Sequence, residues 1–414
     1  MASGKAVDAV YKVEIPSAAR KLRELFYNAQ IAHSHIAHFY ALGAPDFIVG
    51  PDADPAKRNI LGVIEKVGLE VGKEVIKHRR YAQKIQEILG GKATHPVCAL
   101  PGGMSRALKE EERDEIEPWT DSMVDFCSFT FQAFEDIVLK NQDYVDLILS
   151  DVYALSTYDI GLVDENDHVN FYDGVVKITD PEGKEFARFK PNEYLDHIGE
   201  HVEPWTYLKF PFLKKLGWQG LTDGRIPRAA PLARLNVSNG MATPKAQAEY
   251  DKMYKTLGGK PVRHTLAMHW ARIIELMQAA EDMQRLIRDP QITSTEVRNI
   301  PRETPSEGVG IVEAPRGTLI HHYKTDEKGI VTDVNLIVAT IFNNACMCMD
   351  IRSAAQKLIK GGKVTDGILN MVEMAFRAYD PCFACSTNTL PGEMPLIVKM
   401  YDHEKNVVGE WKRD

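Results

Sequence analysis

Two thiols three positions apart, in Asp380-Pro-Cys382-Phe-Ala-Cys385-Ser-Thr-Asn388, are the most pointed chemical feature of this 414-residue chain. Thiolates at that spacing can face one metal ion, and their softness selects nickel, iron or zinc. The same spacing also serves redox dithiols, but a thioredoxin-like dithiol needs a strand before it and a helix after it. Here a helical pattern precedes the pair and Pro391-Gly392 follows closely, which favours metal ligation. A second feature is Glu313-Ala-Pro315-Arg316-Gly317, where Pro and Gly fix the backbone around a guanidinium that holds permanent charge. An ordinary ion pair with a carboxylate is the plainer reading of Arg316. His35 and His38 lie three apart on a helical stretch and can share a ligand, although helical histidines are more often packed in a core. His321 and His322 alternate across a strand, so one site cannot use both. The other thiols, Cys98, Cys127, Cys346 and Cys348, fall in no common ligand spacing.

Hydrophobic periodicity sets the elements that must position these groups. Apolar residues at three- and four-residue steps predict helices over 17–42, 56–89, 118–149 and 264–289, with Pro118 as a first-turn residue. A shorter helix over 366–378 delivers the chain to Asp380. Val169 to Tyr172, Asp173-Gly174 and Val175 to Ile178 read as a tight hairpin, followed by a strand over 185–189. Strand patterns recur at 309–312, 318–323 and 333–341, and 394–411 reads as a terminal hairpin. The Pro- and Gly-rich stretch 191–262 is expected to wrap the surface. Without repeats or linkers, the pattern predicts an α+β fold, predominantly α-helical, as one large body with small β insertions.

Composition narrows the function classes. With 50 basic against 58 acidic residues the net charge is −8, so nothing draws the chain generally to nucleic acid or anionic lipid. Clusters such as Lys77-His78-Arg79-Arg80 are expected to be solvated helix faces. No apolar run approaches the roughly 20 residues that span a bilayer. Six cysteines are too few for a disulfide scaffold and point to a reducing, cytoplasmic setting.

Taken together, the motifs are far more specific than any one of them. Asp380-Pro-Cys-x-x-Cys385, Glu313-Ala-Pro-Arg-Gly317 and His35-x-x-His-Phe-Tyr-x-Leu-x-x-Pro-Asp46-Phe resemble the large subunit of nickel–iron hydrogenases. Pro101-Gly-Gly103, Leu232-Ala-Arg-Leu-Asn236-Val, His269-Trp-Ala-Arg-Ile-Ile-Glu275 and Val338-Ala-Thr-Ile-Phe-Asn343-Asn344 extend the resemblance over nearly the whole chain. It is nearest to the methyl-viologen-reducing type of methanogens and the related deazaflavin-reducing type.

The resemblance implies a nickel–iron centre held by four thiolates, with carbon monoxide and cyanide on iron. Cys382 would be a terminal nickel ligand and Cys385 would bridge nickel and iron. Arg316 would lie over the substrate position, with Pro315 and Asp380 shaping the same pocket, and dihydrogen would split heterolytically with the proton going to a terminal thiolate. Electrons would leave through iron–sulfur clusters on a separate small subunit, then pass by an electron-acceptor subunit to heterodisulfide reductase. No iron–sulfur cluster is expected on this chain. The family's other Cys-x-x-Cys would fall just upstream of the stretch matching Ala2 to Ala9, so an N-terminally incomplete chain is expected. Asn388 stands where the family commonly has a histidine that binds magnesium and marks a maturation cleavage. It is therefore a weak magnesium candidate, and the expected division is a body over 1–388 and a removable tail over 389–414. The alternative is a metal-free structural relative within an electron-transfer complex, against which the retention of Cys382, Cys385 and Arg316 argues.

Overall fold

The structure is a computed structural model and describes residues 1–206, 208–222, 224–382 and 396–413. Among these, the helices are α1 (Ala2–Val10), α2 (Ser17–His38), α3 (Ile60–Val67), α4 (Leu69–Gly90), α5 (Glu110–Phe134) and α6 (Gln142–Ile148). They continue as α7 (Tyr194–His197), α8 (Pro231–Val237), α9 (Pro244–Thr256), α10 (Met268–Ile287), α11 (Ala339–Leu358) and α12 (Asp366–Arg377). The strands are β1 (Ala99–Leu100), β2 (Gly103–Met104), β3 (Tyr158–Val163), β4 (Val175–Thr179), β5 (Glu185–Phe189), β6 (Ile198–His201) and β7 (Phe210–Leu213). After β8 (Pro227–Arg228) come β9 (Glu307–Ala314), β10 (Gly317–Thr325), β11 (Val331–Ile337), β12 (Leu396–Tyr401) and β13 (Val407–Arg413).

Every residue of α10 from Met268 to Ala280 is buried, and a helix without a solvent face belongs at the centre of a core. It packs against α2, α5, α8 and α9, while α4 covers the far side of α2. Beside this helical body stand two sheets, β5-β4-β3-β8 and β11-β10-β9. Their facing aliphatic residues, among them Ile160, Leu162, Ile311 and Ile320, form a smaller second core closed by Phe342 of α11. The short α8 is buried along its whole length, between β3 and α10. Two glycines let α1 lie flat on β9: a Cβ at Gly308 would collide with Ala6 O and Val10 N, and one at Gly310 with Ala2 O.

The α+β, mainly helical fold matches the expectation, and so do the 366–377 helix and the terminal hairpin β12–β13. Other elements differ for local reasons. The helix expected over 56–89 breaks at Gly68, whose φ of +93° suits glycine. Pro118 lies inside α5 instead of starting it. Three glutamates open that helix, and the Glu112 carboxylate accepts the Lys109 N–H at 3.0 Å, a stronger N-terminal signal than proline. The 169–178 hairpin does not form, because Asn170 Oδ1 accepts the Tyr172 and Asp173 N–H groups at 2.9 Å and turns the chain. β4 pairs instead with β3. The third strand ends at Ile337, so Cys346 and Cys348 lie on α11. The 191–262 stretch does not merely wrap the surface, since it contributes the buried α8. Nor is the basic cluster wholly solvated: His78 is buried, stacked on Phe126 at 4.2 Å and bonded to Ser122 Oγ at 2.9 Å. No helix among the described residues is long and apolar enough to cross a membrane.

Replacing Gly308 and Gly310 by alanine should lift α1 off β9 and lower stability by about 1–3 kcal/mol in urea unfolding, as overpacking does. An unchanged midpoint would contradict the close docking of α1.

Candidate active site

Arg316 occupies the tip of the β9–β10 hairpin, where Gly317 pairs with Ala314 across a two-residue turn. Gly317 takes φ +138°, and any Cβ there would strike Ala229 O, so only glycine fits. Asn343, buried on α11, holds that contact from below. Its Oδ1 accepts the Ala229 N–H at 2.9 Å, while its Nδ2 donates to Ala229 O at 3.1 Å and to Arg316 O at 2.8 Å.

A buried charge network fixes the base of the hairpin. Arg234 of α8 donates Nε and Nη2 to the two oxygens of Glu275 on α10, both at 2.6 Å. Its Nη1 reaches Glu313 Oε2 at 3.0 Å and Ala314 O at 2.9 Å, and Nη2 reaches Pro315 O at 3.2 Å. Glu313 Oε1 also accepts from the Leu162 N–H at 2.9 Å and Thr318 Oγ1 at 2.8 Å. His35 Nε2 completes the set on Glu275 Oε2 at 2.9 Å. Burial favours a neutral Glu275, but the bidentate Arg234 and then His35 outweigh it and hold the carboxyl at about 2. Glu313 has the poorer share of the same guanidinium, and burial pushes it up to about 7. Burial also takes His35 down to about 4, so the neutral imidazole donates its Nε2 hydrogen.

The guanidinium of Arg316 turns to the other motif. Its Nε donates to Asp380 O at 2.7 Å, and Nη2 to Asp380 Oδ1 at 3.3 Å. Asp380 is 2% exposed and adopts φ +56°, a left-handed conformation that aspartate tolerates better than most residues. Neighbouring elements pin the segment around it. Arg272 Nη2 of α10 donates to Ala378 O at 3.0 Å, and His38 Nε2 of α2 lies 2.9 Å from Arg377 O. Tyr379 Oη and Thr265 Oγ1 both donate to Asp350 Oδ2, at 2.6 and 2.8 Å. The half-buried Cys382 donates its backbone N–H to Thr340 Oγ1 at 3.4 Å. A cavity of about 540 Å³ opens onto Arg316 and Asp380, walled by Ser34 and His38 of α2 and Val75 of α4.

The fold thus brings together Pro315, Arg316, Asp380 and Cys382, while Cys385 and Asn388 lie outside the described residues. Arg316 does make the plain ion pair, and its partner belongs to the cysteine motif. His35 and His38 share no ligand: one bonds Glu275, the other a backbone carbonyl. His321 and His322 face opposite ways, to Tyr323 Oη at 2.6 Å and to Tyr194 Oη at 2.9 Å. Cys98, Cys127 and Cys346 are buried, and no three His, Cys, Asp or Glu side chains converge on a metal position among the described residues. The donor chemistry nevertheless fits one side of an anionic, thiolate-bound metal centre. Arg272 and Arg316 both act on the carboxylate of Asp380, Arg272 lying near Glu275 as well, and Arg272 Nε and Nη1 are buried without hydrogen-bond partners among the described residues. Buried N–H groups left unpartnered on a cation favour an anionic neighbour. Arg234, Glu275, Arg272 and Asn343 carried no functional assignment in the sequence. Their signal is charge, or for Asn343 an amide, inside otherwise apolar helical runs.

The profile described as Nickel-dependent hydrogenase matches residues 1–61 and 150–388. The iron-sulfur subunit of the F420-non-reducing hydrogenase of Archaeoglobus profundus is 49% identical over 411 residues, covering 98% of this chain and 84% of that protein. A subunit of the F420-non-reducing hydrogenase of Methanothermobacter marburgensis is 40% identical over 415 residues, covering 99% and 85%. Among solved structures, an NAD+-reducing [NiFe]-hydrogenase in the H2-reduced state superposes with a TM-score of 0.87 at 33% identity, covering 94% of this chain and 84% of that one.

Replacing Arg234 by methionine strands Glu275 and Glu313 without their cation and should lower stability by about 3–5 kcal/mol in guanidinium unfolding. Because Glu275 titrates below its ordinary 4.5, its charge stabilises the fold above that value and ceases to as pH falls toward about 2. The stability gap between wild type and Glu275→Gln should therefore narrow across that window. A gap independent of pH would show that the charge is not what Arg234 holds.

Proposed function

Since the chain belongs to the nickel-dependent hydrogenase family, whose members are oxidoreductases acting on dihydrogen, we propose that Cys382 and Cys385 hold one side of its nickel–iron centre, beneath Arg316. The observation that carries this reading is the Arg316–Asp380 pair at the wall of the cavity, two residues before Cys382. When bound, the centre, with carbon monoxide and cyanide on iron, supplies heterolytic cleavage of dihydrogen. Cys382 Sγ would bind nickel and accept the proton, and Cys385 Sγ would be the second thiolate holding the centre. Arg316 places a fixed cation over the substrate position, its Nε tied to Asp380 so that no reorganisation is needed as charge develops. Pro315 narrows the turn and keeps that guanidinium over the cavity. Asn388 offers an amide oxygen as a weak magnesium ligand.

The relatives are named as subunits, and this chain is one component of a multisubunit hydrogenase. In the proposed assembly its electrons pass to an iron–sulfur small subunit, then onward through an electron-acceptor subunit to heterodisulfide reductase. Six cysteines leave too few thiolates for such a relay here. The same sparse usage fits a cytoplasmic setting. A body over 1–388 with a removable tail over 389–414 completes the reading.

In the assembled hydrogenase, Cys382→Ser should lose its nickel by elemental analysis together with dihydrogen oxidation. Arg316→Lys should keep its nickel and lose about 10²- to 10³-fold in turnover, the usual consequence of removing one preorganised charge donor. Full nickel in the first variant, or wild-type turnover in the second, would overturn the assignment.

A further inference from the structure

A groove outside the candidate site runs between α4 and α5, with a volume of about 740 Å³. Its rim carries Lys73, Lys77, Arg80 and Lys84, against the carboxylates of Glu87 and Glu115. Its floor is apolar: Tyr81 and Trp119 stack with centroids 5.3 Å apart and planes within 8°, flanked by Ile76 and Ile88. Ile76 is 66% exposed. Lys73, Ile76, Arg80, Lys84 and Glu87 follow one another at three- and four-residue steps, so they form one stripe along α4. At 1.5 Å per residue that stripe is about 21 Å long, enough to seat about four turns of another helix. Lys73, Lys77 and Lys84 each pair with an exposed glutamate three residues away on the same helix, which holds them weakly, and Lys77 also lies 6.0 Å from the Tyr81 ring centroid. Arg80 has no carboxylate partner among the described residues.

We propose that an acidic, amphipathic helix of a partner subunit seats in this groove. An aromatic floor with a cationic rim is complementary to a helix with an apolar stripe edged by Asp and Glu. A net charge of −8 on the chain makes this basic strip a local feature and argues against a nucleic-acid surface. Residues 62–149, which contain the whole groove, lie outside the match to the family profile. Yet F420-non-reducing hydrogenase subunits of Archaeoglobus profundus, Methanococcus voltae and Methanothermobacter marburgensis align with 97–99% of the chain. An NAD-reducing hydrogenase subunit of Cupriavidus necator aligns with 97% of the chain as well, so the segment is present in more than one type of hydrogenase. Ile76 also lines the cavity that reaches Arg316 and Asp380, so the seated helix lies beside the mouth of the candidate active site.

The test uses the assembled complex, with a photo-reactive p-benzoylphenylalanine in place of Ile76 and mass spectrometry of the cross-linked peptides. The expected product joins this chain to an acidic helical segment of a different polypeptide of the complex. A cross-link only to a second copy of this chain, only to RNA, or to no protein of the complex would overturn the proposal. As a second arm, the Lys77→Glu/Arg80→Glu/Lys84→Glu variant should bind that partner at least tenfold more weakly while dihydrogen-driven dye reduction is unchanged, and wild-type retention of the partner would contradict the proposal. Both arms read contact between polypeptides and not metal content, so their failure is distinct from failure of the nickel–iron assignment.

Discussion

The candidate site depends on one arginine that does not line its cavity. Arg234 stands fully buried between Glu275 and Glu313, and three elements meet through its guanidinium: α8, α10 and the base of the β9–β10 hairpin. Desolvating one cation and two carboxylates is expensive, and replacing such a set with hydrophobic residues often leaves a protein as stable or more so. Stability alone therefore does not explain the network. What it provides is a fixed position for a hairpin tip that must carry a charged side chain at a cavity wall. The Ala314 and Pro315 carbonyls are both held by Arg234, and the Arg316 carbonyl is held by Asn343. The backbone of the turn is thus determined residue by residue.

The second half of the site is held by different elements but by the same kind of contact. Backbone carbonyls of Arg377 and Ala378 receive His38 and Arg272, Tyr379 is anchored on Asp350, and Asp380 meets Arg316. α10 takes part in both halves, through Glu275 on one side and Arg272 on the other. That double role accounts for a central helix that carries charged residues although its whole circumference is buried. It also connects the two motifs, more than 60 residues apart in sequence, through a rigid element instead of a flexible loop.

Much of this was legible before any coordinates. The cysteine pair, Arg316 with Pro315 and Gly317, and the helix leading to Asp380 all follow from residue type and spacing, and these local signals survive folding. What stayed hidden was long-range. Glu275 and Arg234 lie 41 positions apart, and nothing in either segment says that they meet. The same holds for Asn343 and Ala229. Periodicity also misled where a side chain overrode it. Asn170 turned an expected strand, Glu112 started α5 ahead of Pro118, and Gly68 split one helix into two. The family resemblance marked the segments containing Arg234, Glu275 and Asn343 without saying what they do, and only the packed structure gives each of them a partner.

The central claim is that Asn343 and Arg234 act on the reaction only through the placement of Arg316. A double-mutant cycle on the nickel-loaded complex tests it most directly, comparing dihydrogen oxidation by Asn343→Ala, Arg316→Lys and the combined variant at equal nickel content. If the scaffold works through Arg316, the double variant should turn over about as slowly as Arg316→Lys alone. Losses that multiply would contradict the account, since they would mean that Asn343 serves the reaction by a separate route.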